Sequence, residues 1–105
     1  MKLPKLSPSS LAGVVTDTKE PYFLLSSEPT LQFEYKDNQR TDNIVGYKYW
    51  FIQNHTEPFQ VKFSSKLNNN LKKFEAYKLL NLEAFEIDGN VYFRAESIQN
   101  FLEER

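Results

Sequence analysis

The chain of 105 residues contains no cysteine. Disulfides, thiolate zinc sites and cysteine nucleophiles are therefore excluded, and a reducing compartment is the natural setting. Glycine occurs only three times and at isolated positions, which leaves no phosphate-cradling loop. There is one histidine, His55, in a polar loop beside Asn54, Thr56 and Glu57. Nucleophilic catalysis needs a base held by an orienting group next to an activated hydroxyl, and no serine sits in such a context. A metal site needs several converging ligands, and no His, Asp or Glu pair has ligand spacing. Glu83 and Glu86 fall on opposite faces if their segment is a strand. The expectation is a protein that is not an enzyme and holds no metal or cofactor. Long apolar runs are also missing: nothing approaches the roughly 20 residues that cross a bilayer. No apolar segment follows the basic residues Lys2 and Lys5, so the sequence predicts a cytoplasmic protein with no leader and no membrane contact.

Aromatic side chains are plentiful, with nine Phe, six Tyr and one Trp, so rings would fill the core of a single domain. The net charge is only −1, but it is unevenly spread. Residues 36–73 carry Lys36, Arg40, Lys48, Lys62, Lys66, Lys72 and Lys73 against Asp37, Asp42 and Glu57. Inside this basic stretch lies Gly46-Tyr47-Lys48-Tyr49-Trp50-Phe51, the densest aromatic run.

Residues 1–10, with two prolines and three serines, read as a flexible N-terminal arm, leaving 11–105 as one domain. Residues 11–18 are rich in β-branched side chains and predict a strand. Tyr22 to Leu25 form a short apolar run. Residues 30–36 alternate, with Leu31, Phe33 and Tyr35 on one face. Residues 37–43 read as a mobile polar loop and 44–52 as the longest strand. In that strand Val45, Tyr47, Tyr49 and Phe51 face inward; Gly46, Lys48 and Trp50 face the other way. Residues 59–63 alternate again, turning Phe59, Val61 and Phe63 inward. Ser64 and Ser65 offer an N-cap, and Leu67, Leu71 and Phe74 follow at helical spacing, which predicts a short helix within 65–76. Residues 76–87 read as one long strand, Asp88-Gly89-Asn90 as a hairpin turn, and residues after Ala95 as a helical turn. Val14, Leu71, Leu82 and Val91 complete the predicted core.

If this assignment of faces holds, Lys36, Lys48 and Lys62 stand beside Trp50 on one wet face, and Gly46 leaves a gap above the sheet. Cations next to flat rings suit a single strand of nucleic acid, because phosphates seek charge and unstacked bases seek rings. Lysines on the outer positions of a half-buried strand are also expected with no function at all. The same aromatic face could instead dock a protein partner or support self-association.

Three segments together resemble small OB-fold single-stranded DNA-binding proteins of phages and conjugative elements. Leu11-Ala12-Gly13-Val14-Val15 is similar to their opening strand, Gly46 to Phe51 to their aromatic central strand, and Leu82 to Ala95 to their closing hairpin. The resemblance implies a mainly β fold, a small OB-like Greek-key barrel with one short helix. An SH3-like barrel or small sandwich fits the strand count nearly as well. It also implies single-stranded DNA or RNA as partner, DNA ahead of RNA, in replication or transfer of a mobile element. The residues expected to touch nucleic acid are Lys36, Arg40, Tyr47, Lys48, Tyr49, Trp50 and Lys62.

Overall fold

A computed structural model describes residues 6–67 and 71–101. The first element among the described residues is a helix, α1 (Pro8–Val15), and not a strand. Its start is set by local chemistry. The Ser7 hydroxyl accepts the Ser10 N–H, and Pro8 occupies the first turn, where its missing N–H costs nothing. Residues 8–10, expected in a flexible arm, belong to α1, and residues 1–5 lie outside the described part. Val14, predicted to be buried, is 69% exposed, because the helix turns Ala12 inward instead.

Eight strands follow: β1 (Tyr22–Leu24), β2 (Thr30–Lys36), β3 (Gln39–Ile52), β4 (Phe59–Phe63), β5 (Ala76–Leu80), β6 (Glu83–Ile87), β7 (Asn90–Arg94) and β8 (Ser97–Asn100). They form one sheet in the order β6-β7-β4-β3-β1-β5-β8, with β2 also paired to β3. The pairing of β4 with β7 is parallel, and every other pair is antiparallel. Tyr77 of β5 and Ala84 of β6 lie far apart in this order, yet both join one buried cluster with Ala12, Leu24, Tyr49, Phe51, Val61 and Phe63. The sheet therefore curls around a single core. The protein is mainly β, with an open sheet and one helix among the described residues.

Several expectations give way to what the backbone does. Residues 39–43 are not a loop but the start of β3. The reversal is made by Asp37 and Asn38 alone, both at positive φ, as a two-residue hairpin requires. No helix forms in 64–67 or 71–75; residues 68–70 lie outside the described part. The long strand expected over 76–87 is broken at Asn81, whose positive φ turns the chain from β5 into β6. The residues after Ala95 form β8 and not a helical turn up to Asn100, and 102–105 are outside the described part. The Asp88-Gly89 hairpin is present, joining β6 to β7 with Ile87 opposite Asn90.

The inward face of β3 is as expected from Tyr47 onward: Tyr49 and Phe51 are fully buried and Tyr47 half-buried. It fails before that point. Gln32 pairs with Gly46 but Phe33 with Ile44, so β3 carries Val45 as an extra residue and the alternation slips. Val45 is consequently exposed, and after a second register shift between Phe33 and Tyr35, Phe33 is only half-buried and Tyr35 is 66% exposed; Leu31, in register opposite Tyr47, is exposed as well. Val61 and Leu82 are buried, Leu71 is half-buried, and Val91 is exposed at the far end of β7.

Candidate nucleic-acid interface

The outer face of the sheet is built by alternation. Burying Tyr49 and Phe51 forces Lys48 and Trp50 outward, and burying Val61 and Phe63 does the same for Gln60 and Lys62. The antiparallel register then sets Lys48 directly opposite Lys62, and Trp50 opposite Gln60. Like charges placed opposite one another across a ladder destabilise a sheet. Among the described residues no carboxylate lies within ion-pair distance of either lysine.

The row of cations continues. β7 runs parallel to β4 and sets Arg94 beside Lys62, and Glu83 of β6 pairs with Arg94 from the far side. Arg94 donates from Nη2 (2.6 Å) and Nε (3.0 Å) to the same Glu83 oxygen. Its guanidinium also lies over the Phe85 ring, 4.7 Å from the centroid.

Trp50 is fixed through its backbone. Its N–H donates to the Ser26 hydroxyl (3.1 Å), and its carbonyl accepts the Leu25 N–H (2.8 Å). Its ring is 39% exposed and lines a cleft of about 610 Å³ together with Lys48, Gln60, Lys62 and Tyr92. A shallower depression of about 340 Å³ adjoins it, sharing Gln32, Lys48 and Gln60, and reaches Tyr35 and Arg40 on the β2–β3 hairpin. Arg40 stacks on Phe33, 4.2 Å from the ring centroid, and does not pair with Asp42 or Glu57.

The gap expected above Gly46 is filled. A Cβ there would stand 2.5 Å from Lys62 Cε, so the aliphatic stem of Lys62 lies across the bare backbone. Gln32 Oε1 is close by, shielded from solvent and without a hydrogen-bond partner.

The seven residues singled out from the sequence divide accordingly. Lys48, Trp50 and Lys62 come together, and Arg40 lies in the adjoining depression. Lys36 points away from the Tyr35–Arg40 face. Tyr49 is wholly buried, edge-on to Phe63 at 5.7 Å, with its hydroxyl accepting the Leu67 N–H. Tyr47 shares its side of the sheet. Neither tyrosine presents a ring to the cleft.

The fold is similar to that of SAG0934 from Streptococcus agalactiae, known from a solution NMR structure. The TM-score is 0.62 over 98% of this chain and 99% of that one. At 18% sequence identity, the likeness shows the fold alone. No protein-family model and no curated protein matches the chain.

Two residues of the face were missed in the sequence, Tyr92 and Arg94. The Asp88-Gly89 turn and the alternation of Val91 and Phe93 with Tyr92 and Arg94 indicated a strand. Nothing local indicated that this strand would lie parallel to β4. Among the described residues no three His, Asp or Glu converge on a possible metal site, and no helix is long and apolar enough to cross a membrane.

Proposed function

We propose that this protein binds single-stranded nucleic acid, DNA ahead of RNA, without catalysis and without strong sequence preference. One observation carries the reading: Lys48 and Lys62 stand directly opposite one another, with no carboxylate in ion-pair distance among the described residues, beside the exposed Trp50. A phosphate between the two ammonium groups relieves their repulsion, and a base on Trp50 contributes roughly 1–3 kcal/mol of stacking. Arg40 and Tyr35 extend the face past Lys48. The proposed kinship with OB-fold single-stranded DNA-binding proteins of mobile elements rests on the aromatic central strand and the closing hairpin. The open sheet and N-terminal helix are not OB features, so that kinship is offered for the binding mode.

Titration of dye-labelled oligo-dT with the protein at two salt concentrations, read by fluorescence anisotropy, tests the proposal. Trp50→Ala is expected to weaken binding by roughly 1–3 kcal/mol with an unchanged salt slope, because stacking releases no counterions. Lys62→Ala should lower the slope by about 0.7, the value for one phosphate on a single strand. Equal binding to duplex, indifferent to Trp50, would reduce the interaction to diffuse charge.

The exposed apolar side chains Leu31, Tyr35 and Ile87 favour a second reading, in which the face docks a protein or a second copy of the chain. Absence of nucleic-acid binding at low salt, with a molecular mass that rises with concentration, would select it.

A further inference from the structure

Resting on the nucleic-acid reading, the register of three strands adds a direction and two further contacts. The cation row runs Lys48, Lys62, Arg94 across β3, β4 and β7. Two residues along each strand, in the same physical direction, stand Trp50, Gln60 and Tyr92, and all three line one cleft. A row of cations and a row bearing two rings therefore lie about 7 Å apart, and each advances about 4.8 Å per strand.

A nucleotide has the same division, a charged phosphate at one end and a flat base at the other. The geometry points to a single strand crossing β3, β4 and β7 nearly at right angles, with phosphates over Lys48, Lys62 and Arg94 and bases over Trp50 and Tyr92. Tyr92 and Arg94 thereby become binding residues, and Glu83 competes with phosphate for Arg94. The distance from Lys48 to Arg94 is two strand spacings, about 10 Å, so three successive phosphates on the three cations stand about 4.8 Å apart along the path, a strand stretched beyond the stacked rise of about 3.4 Å. A duplex turns its bases toward each other and cannot use the rings.

Tyr92 is suited to this role, being 49% exposed at the cleft wall facing Trp50 across Gln60. Arg94 is held in place by the Phe85 ring beneath it and by Glu83 at its side. Both members of that ion pair are accessible, and such pairs are weak enough for a phosphate to displace the carboxylate.

The experiment is a salt-dependent titration of short dye-labelled oligo-dT with the full chain, read by fluorescence anisotropy. Six proteins are compared: the wild type, Trp50→Ala, Tyr92→Leu, Glu83→Gln, Arg94→Gln and the Glu83→Gln/Arg94→Gln double variant. Glu86→Gln, the same charge change on the alternate face of β6, is the control. Retained denaturation midpoints establish that each variant is folded. Tyr92→Leu should bind roughly five- to a hundredfold more weakly at an unchanged salt slope. Glu83→Gln should bind roughly two- to fivefold more tightly. Its slope should steepen by up to about 0.7, and the gain should vanish in the double variant. If the wild type binds and Trp50→Ala weakens it, while Tyr92→Leu binds normally or Glu83→Gln does no more than Glu86→Gln, the proposed path is wrong and the simpler binding proposal stands. A wild type that does not bind overturns both.

Discussion

At the scale of the residue, the same substitution has opposite expected effects at two glycines. Gly13 lies inside α1, and a Cβ built there meets nothing within 4 Å. Its backbone freedom is lost on folding and no contact needs the missing side chain. Gly13→Ala should therefore raise the free energy of unfolding by about 0.5–1 kcal/mol in a denaturant titration. A loss instead would show that the segment is not helical. Gln53 illustrates how a single side chain can be structural without being apolar. Buried where β3 ends, its amide accepts the Asp17 N–H (3.0 Å) and donates to the carbonyls of Asp17 (2.7 Å) and Glu20 (3.3 Å). It holds the connection after α1 to the sheet and satisfies three backbone groups at once.

At the scale of the element, turn chemistry was legible and strand faces were only partly so. Asp88-Gly89 gives a two-residue hairpin because both positions take positive φ, and Gly89 does so at +84°. Gly89→Ala should lower stability by about 1 kcal/mol, since a Cβ is strained at that φ even in open space. Equilibrium denaturation beside Gly13→Ala measures both signs in one experiment. The opening segment shows the opposite case. Leu11 to Val15 is apolar and β-branched at its end, which favours a strand by propensity. Ser7 as cap, Pro8 in the first turn and Ala12 packed into the core outweigh that weak preference. In β3 the alternation correctly exposed Lys48 and Trp50 but failed toward the hairpin, where two register shifts, the first at the extra residue Val45, break it.

At the scale of the whole molecule, the core is closed partly by buried phenols, and these tie stability to pH. Burial pushes the pKa values of Tyr22 and Tyr49 above the ordinary 10.0, for Tyr49 against the hydrogen bond donated by the Leu67 backbone. The Thr16 hydroxyl donates to the Ala12 carbonyl (2.8 Å), so in the 2.7 Å contact with Thr16 the proton belongs to Tyr22. Below pH 10 both phenols are protonated in the folded and unfolded states alike. Above it the unfolded chain releases protons that the folded chain keeps, so stability falls as pH rises, until the raised folded pKa values are passed. The slope has an upper limit of about 1.4 kcal/mol per pH unit for each phenol. Denaturant titrations from pH 8 to 11 measure it, and Tyr22→Phe should make the fall shallower. An unchanged slope would show that Tyr22 ionises freely in the folded protein.

The sequence by itself determined that the chain is mainly β, where β2 and β4 run, how β6 turns into β7, and that Lys48 and Trp50 share a face opposite to Tyr49 and Phe51. Each of these follows from period-two alternation or from turn residues, which act between near neighbours. Only the tertiary structure decided that β7 lies parallel to β4, that Arg94 completes the row begun by Lys48 and Lys62, and that Tyr92 faces the cleft of Trp50. Those placements depend on strand pairings between residues some 30 positions apart, selected by how the curled sheet buries its rings around one core. No local pattern encodes that choice, because its energy comes from contacts that exist only when all the strands are assembled.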